Sequence, residues 1–257
     1  MVILLIALVV ILLMSAKLWY NGLRVAGLFA RHNVIVFGVK GAGKDLLFQL
    51  VINRRRRKYY SNISYGGRGE LVNISDVSVP PNTYQTLIDG KYYRVAPRFA
   101  DKCDIYISDG GVYLPSQYDT YLSKQYKSFP LAYALSRHLW DNRIHINTQA
   151  LNRLWLKLRE QSDCYIKCRY SFRFLFWLFT RITIYDNYQS ALDDRRPIKK
   201  RWFNKFAKSQ VDVYDATAGD IKSMYVCQRV RRIKYDTRAF KKMLIDDDNE
   251  RGCGNGN

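Results

Sequence analysis

Residues 34–51 limit the fold more than any other part of the chain. Val34-Ile35-Val36-Phe37 is an apolar run with β-branched residues, which reads as a buried strand. Gly38-Val39-Lys40-Gly41-Ala42-Gly43-Lys44-Asp45 follows, and Leu46, Leu47, Leu50 and Val51 then recur at helical spacing. Strand, Gly-x-x-x-x-Gly-Lys and helix in that order make a phosphate-cradling loop. Its glycines turn consecutive backbone N–H groups inward, its lysine meets the β- and γ-phosphates, and the helix N-terminus adds partial positive charge. Gly38, Val39, Lys40, Gly41, Ala42, Gly43, Lys44 and Asp45 are therefore the expected nucleotide-binding residues. One position departs from the motif. Asp45 stands where a Ser or Thr that ligates magnesium is usual, and the bland alternative is an ordinary strand–turn–helix connection.

A chain of 257 residues with 48% hydrophobic content has room for one α/β domain with appendages, and is too apolar for global disorder. The net charge is +20, from 42 Lys+Arg against 22 Asp+Glu, an excess that suits nucleic acid, anionic lipid, or both. Five cysteines lie scattered without a Cys-x-x-Cys or a His cluster, so they read as reduced thiols, not a disulfide frame or zinc site. Cys164 and Cys168, four apart on an expected strand, share a face and read as packing residues.

Residues 1–20 are almost unbroken apolar sequence ending in Trp19 and Tyr20, with Lys17 able to snorkel. No basic residue precedes the run, while Lys17, Arg24 and Arg31 follow it. That asymmetry predicts a single-pass anchor with the bulk of the chain in the cytoplasm. A cleaved signal peptide, the alternative, carries its charge before the apolar core and ends in small residues; this segment does neither. The expected organisation is a transmembrane anchor at 1–20, an α/β domain at 31–215, and a basic segment with a disordered polar tail at 216–257.

Arg54, Arg55, Arg56, Arg57 and Lys58 end the first domain helix and are read as a polyanion contact, or else as a solvated face complementing the helix dipole. Asp89-Gly90 between two short apolar runs predicts a hairpin. A second buried strand, Asp104-Ile105-Tyr106-Ile107, runs into Ser108-Asp109. A helix at 131–139 precedes a third strand at 143–149, and His138 and His145 are read as satisfied structural histidines. Leu151, Leu154, Trp155 and Leu158 predict one amphipathic helix. Residues 164–170 and 172–185 are read as strands, the second with membrane or partner contact as the minor alternative. A basic linker at 193–208 and a strand at 210–214 complete the series.

In this order the motifs resemble the zonula occludens toxin-like family, which includes the assembly ATPases of filamentous phages and is related to FtsK/HerA-type motors. The likeness runs from residue 34 to about 214. It rests on the loop at 38–44, on Ile105-Tyr106-Ile107-Ser108-Asp109-Gly110-Gly111-Val112-Tyr113-Leu114-Pro115, and on Ser136-Arg137-His138 followed by a strand ending in Thr148-Gln149. The resemblance implies an α/β P-loop NTPase fold with a mainly parallel sheet flanked by helices; the one transmembrane helix expected before it is a departure, since the family's assembly proteins commonly carry theirs after the ATPase domain. It implies ATP and Mg2+ as cofactors, with Lys44 on the phosphates, Asp109 in the water-activating position, Gln149 sensing the γ-phosphate and Arg159 reaching a neighbouring subunit. It further implies the bacterial host inner membrane, a homo-oligomer, phage coat or assembly proteins as partners, and virion extrusion or single-stranded DNA handling.

Two departures are reciprocal. Asp45 replaces the hydroxyl residue of the loop, and Ser108 replaces the metal-ligating Asp of the second strand. Asp45 and Ser108 are therefore the metal-ligand candidates, with the hydroxyl and carboxylate having traded strands. Alternative readings are a nucleotide-degenerate membrane scaffold that binds DNA or anionic lipid, and a DNA-translocating motor.

Overall fold

The computed structural model describes residues 2–66, 69–71, 85–88, 91–94, 102–116, 129–139, 141–193 and 222–229. The Asp89-Gly90 turn, the linker beyond Asp193, the expected strand at 210–214 and the polar tail lie outside the described residues.

The helices are α1 (Val2–Arg31), α2 (Lys44–Arg55), α3 (Gly110–Tyr113), α4 (Phe129–Leu139), α5 (Leu156–Glu160) and α6 (Tyr188–Asp193). The strands are β1 (Val34–Phe37), β2 (Tyr59–Ser61), β3 (Gly69–Leu71), β4 (Gln85–Ile88), β5 (Lys91–Arg94) and β6 (Asp104–Ile107). They continue as β7 (Arg143–Thr148), β8 (Cys164–Phe174), β9 (Trp177–Tyr185) and β10 (Lys222–Arg229). One sheet has the order β10-β9-β8-β1-β7-β6-β2-β3, while β4 and β5 form a separate antiparallel hairpin on either side of Asp89-Gly90. From β3 to β8 every neighbouring pair is parallel, and β9 runs antiparallel between β8 and β10. The α/β architecture with a mainly parallel sheet is as expected.

β1 is central and buried on both faces, as a parallel strand covered by helices must be. Val34 and Val36 join Cys164, Ile166 and Cys168 of β8 in one apolar cluster under α1 and α2. Ile35 and Phe37 point the other way, into a cluster with Tyr133 of α4, Leu158 of α5 and Ala191 of α6. Cys103, Cys164, Cys168 and Cys227 are free thiols, and the first three are buried.

α1 differs from the expected anchor in extent. It runs unbroken for 30 residues, and its last third is core. Val25 and Phe29 are fully buried, with the Phe29 ring 6.0 Å from Phe48 and 4.7 Å from His145. Toward its start, from Leu5 to Met14, the large apolar side chains are exposed. The helix is long and apolar enough to cross a membrane. His145 is structural, held between Phe29 and Tyr106, but neither ring nitrogen has a hydrogen-bond partner. Burial, with Arg55, Arg143 and Arg57 nearby, keeps its pKa well below the usual imidazole value, so it is neutral. The His138 side chain lies outside the described residues.

Three further expectations change. The helix across 151–158 is broken into a 3-10 turn at Leu151–Arg153 and α5, because Leu154 bridges to Pro115 and the Trp155 N–H donates to the Leu114 carbonyl at 2.8 Å. The aromatic run from Phe172 is not one strand, since β8 and β9 turn back on each other at Leu175-Phe176. The sheet also extends past the expected boundary at 215, because β10 pairs with β9 from Trp177 to Ile184.

Since α1 is apolar and exposed at one end and core at the other, substitutions along it should act differently. Phe29→Ala is expected to cost about 3–5 kcal/mol, whereas Ile11→Ala, at an exposed site, should stay within about 0.5 kcal/mol. Denaturant unfolding of both variants in the same detergent checks this.

Candidate nucleotide site

The loop begins where β1 ends, and it is held tightly to the neighbouring strands. The Gly38 N–H donates to the Thr148 carbonyl of β7 at 3.3 Å. A Cβ at Gly38 would lie 2.3 Å from the Cys168 carbonyl oxygen of β8, so no side chain fits there. Gly43 caps α2 at φ 93°, the left-handed region glycine tolerates, and packs on Ser171 and Thr180 of the β8–β9 hairpin. Ser171 Oγ donates to the Gly41 carbonyl at 3.2 Å. Lys44 is buried, and its ammonium folds over the loop to donate to the carbonyls of Gly38 (3.0 Å) and Val39 (3.3 Å). Val39, Lys40 and Gly41 form the exposed rim. Backbone close to open space, a buried ammonium and a helix N-terminus are the donor set an anionic phosphate requires.

Beside the loop is a polar cluster. Asp45 is in the first turn of α2, Ser108 directly follows β6, and Asn147 is near the end of β7. Asp45 Oδ1 accepts from Asn147 Nδ2 (2.7 Å), Ser108 Oγ (2.8 Å) and Tyr65 OH (2.9 Å). Asn147 Nδ2 also donates to Ser108 Oγ at 3.1 Å, and its Oδ1 accepts from the Asp109 N–H at 2.7 Å. Asn62 grips the Ser108 backbone from below, through its N–H (2.7 Å) and carbonyl (2.9 Å). Three donors fill Oδ1 of Asp45, and among the described residues Oδ2 accepts no hydrogen bond.

The two traded residues are thus in direct contact, with the hydroxyl donating to the carboxylate. Asp109 caps α3 at φ 52°, an unusual conformation for a residue with a side chain and one that concentrates at functional sites. Burial and the charge of Asp45 raise its pKa, while Lys44 and Lys40 oppose the shift. No cluster of three or more His, Cys, Asp or Glu occurs among the described residues. A magnesium ion here would be held by one or two carboxylates, which suits its habit of keeping waters and substrate phosphates as ligands. Asp45 Oδ2 fits that role, and Ser108 Oγ, which donates to Asp45 and accepts from Asn147, keeps one lone pair for the ion.

The other expected residues divide. Gln149 is exposed directly after β7, beside the strand end that binds Gly38, so it is at the site. Arg159 is not. It lies on α5 just before β8, whose first residue pairs with the first residue of β1, so it is at the edge of the sheet opposite the loop. Its guanidinium is buried, donates to Tyr188 OH at 2.6 Å and covers that ring. The expected reach to a neighbouring subunit is corrected to an internal contact.

The run from Arg54 to Lys58 is corrected in the same way. Arg55 pairs with both oxygens of buried Asp104 (2.8 and 3.0 Å), and Arg57 with Asp141 (3.0 Å) and the Lys102 carbonyl. Lys58 pairs with Glu70 at 2.9 Å, and Arg54 stacks over Trp19 at 4.4 Å. Arg56 remains exposed at the helix end. A charge run that reads as a polyanion contact is largely taken up by the domain's own acids.

Asn147, Tyr65 and Asn62 were not expected at the site. Asn147 carried a faint signal, as the first residue of the polar Asn-Thr-Gln stretch that ends the strand. Tyr65 and Asn62 carried none.

No protein-family model matches the chain, and no curated protein matches it. Among solved structures it is similar to the N-terminal domain of zonular occludens toxin from Neisseria meningitidis, at 10% identity and a TM-score of 0.34, covering 60% of this chain and 84% of that one. It is also similar to the genome packaging NTPase B204 from Sulfolobus turreted icosahedral virus 2 in complex with AMP, at 16% identity and a TM-score of 0.35, covering 54% and 75%. The fold described above rests on strand order and loop geometry, not on these likenesses.

Burial pushes the Asp104 carboxyl up to about 6 against the pull of Arg55, Arg57 and Arg143, so it is ionised at neutral pH and the pair with Arg55 is charged. Removing one partner of a buried pair strands the other charge, so Asp104→Asn is expected to destabilise by about 3–5 kcal/mol. Urea unfolding at pH 8 measures it.

Proposed function

We propose that this chain is a membrane-anchored P-loop ATPase with traded magnesium ligands. The observation that carries the reading is a buried Lys44 in a glycine loop beside the Asp45–Ser108–Asn147–Asp109 cluster, at the carboxyl ends of three adjacent parallel strands. Ligands of open α/β sheets bind at that edge. The loop's backbone N–H groups and Lys44 orient the phosphates. Asn147 fixes Asp45 through its amide and Asp109 through its carbonyl, so one side chain sets the spacing of both acids. Asp109 holds the proton of the attacking water, and its raised pKa brings it nearer the working pH of a general base. Magnesium, bound through Asp45 Oδ2 with Asp109 close by, would neutralise the phosphate charge.

The setting we propose is assembly or export of a filamentous phage at the host inner membrane, with the ATPase domain cytoplasmic, acting as a homo-oligomer with coat or assembly proteins and single-stranded DNA. The order of sequence motifs and the apolar, exposed start of α1 support this. A second reading has one observation in its favour. Three donors on Asp45 Oδ1 give that acid a structural role that needs no cation, as a scaffold that retains the fold without turnover would show.

Purified chain in anionic detergent-free vesicles should hydrolyse ATP only with Mg2+, and Lys44→Ala should abolish turnover. Asp45→Thr and Ser108→Asp should each lower kcat/KM about tenfold or more. The double exchange keeps the hydrogen bond with its direction reversed and should restore most of the rate, a coupling of about 1–3 kcal/mol. If Asp45→Thr alone raises nucleotide affinity and the second change adds nothing, the scaffold reading replaces the enzyme.

The pH profile gives an independent check. Asp109 works deprotonated, so turnover should fall as pH drops through its raised pKa. Asp45→Asn removes a negative neighbour, and whatever activity it retains should show that acid limb at lower pH.

A further inference from the structure

The β8–β9 hairpin ends in a tip that folding alone does not account for. Phe174, Leu175, Phe176 and Trp177 are all exposed, Leu175 at 66% and Phe176 at 70%. A two-residue hairpin turn ordinarily takes Asn-Gly or a similar pair. Here it is Leu-Phe, and Leu175 sits at φ 49°, a strained conformation for a bulky side chain. The tip is nevertheless well built. Phe172 and Phe179 stack at 5.1 Å behind it, and Arg173 Nε caps the Leu175 carbonyl at 3.1 Å.

The tip lies beside the apolar part of α1. Ile11, Met14 and Leu18 of the helix and Phe174, Trp177 and Phe179 of the hairpin line one cleft of about 560 Å³. The hairpin base is fixed to the nucleotide loop by Ser171, and four residues from there to Leu175 extend about 13 Å. From Trp19 back to Ile11 the helix rises about 12 Å. Both lengths fit within one leaflet of a bilayer whose apolar core is about 30 Å thick.

Cations mark the level at which both elements would leave the lipid. Arg54 lies over Trp19 at 4.4 Å and Arg229 over Trp177 at 5.3 Å. Aromatic rings with cations beside them belong at the headgroup level. The segments that make this face, residues 1–44, 50–54, 164–185 and 222–229, contain no Asp or Glu. An acid-free, Arg-collared apolar tip is complementary to anionic headgroups over acyl chains.

We infer that the β8–β9 tip is a second membrane element, dipping into the same leaflet that α1 enters and seated among anionic lipids. This rests on the reading of α1 as an anchor. It would hold the domain with the loop end of its sheet facing the bilayer.

The test labels the full chain with an environment-sensitive fluorophore at Phe176→Cys, with Cys227→Ser and Cys253→Ser to limit labelling elsewhere. A control carries the label at Gln161→Cys, exposed at the opposite edge of the sheet. Both are reconstituted in phosphatidylglycerol/phosphatidylcholine vesicles. The expected result is flotation of both, with the tip label quenched by brominated acyl chains and shielded from aqueous iodide, and the control label the reverse. Arg173→Glu with Arg229→Glu should reduce the bromolipid quenching. A chain that floats with its tip label open to iodide overturns the proposal while leaving the anchor intact. A tip label shielded from iodide but untouched by bromolipid also overturns it and shows a protein surface there instead. A chain that does not float overturns the anchor reading, and the tip with it.

Discussion

The rest of the structure depends on a four-residue strand buried on both faces. β1 has no side that can face water, so both faces of the sheet must be covered, and its neighbours β7 and β8 run parallel to it, as in sheets sandwiched between helices. That leaves the loop after Phe37 one direction to take. It emerges at the carboxyl edge of the sheet, between the ends of β7 and β8, with room for backbone and little for side chains. Gly38 and Gly43 answer that crowding, and Lys44 follows because the helix must start where the loop closes.

The acid cluster is a second consequence of the same geometry. Asp45 on α2, Ser108 after β6 and Asn147 on β7 belong to separate segments, yet parallel pairing with close register brings their ends together. Asn147 is the residue through which the others communicate, since its amide holds Asp45 and its carbonyl oxygen holds the Asp109 N–H. In such a network each polar group matters more than its own hydrogen bond suggests, because a partly satisfied one is costly in a low dielectric.

What the sequence shows clearly is local. The strand, glycine loop and helix lie within 18 residues, and periodicity marks each of them. The long-range pairings are not legible in this way. Tyr65, Ser108 and Asn147 reach Asp45 from 20, 63 and 102 positions away, and no spacing rule links them. The run from Arg54 to Lys58 reads as exposed because its partners Asp104, Asp141 and Glu70 are distant in the chain. The hairpin within the aromatic run escapes notice because its turn lacks Gly or Asn. The helix at 151–158 keeps its apolar period but loses its middle to a bridge with Pro115, a tertiary contact overriding a local pattern. α1 shows the opposite case: its change from exposed to buried around residue 25 alters the environment without ending the helix.

The attachment of the β8–β9 hairpin has a mechanical consequence. Its base is clamped to the nucleotide loop by three contacts, at Cys168 against Gly38, Ser171 against Gly41, and Thr180 against Gly43. A hydrogen-bonded ribbon clamped at one end is a lever arm, stiff within the plane of the sheet and compliant across it. A force on the free end therefore arrives at the loop as torque, and a loop that tightens around phosphate moves the free end in turn. On the proposed ATPase reading, turnover should then feel lateral tension in whatever the ribbon touches, with the glycines as the pivot.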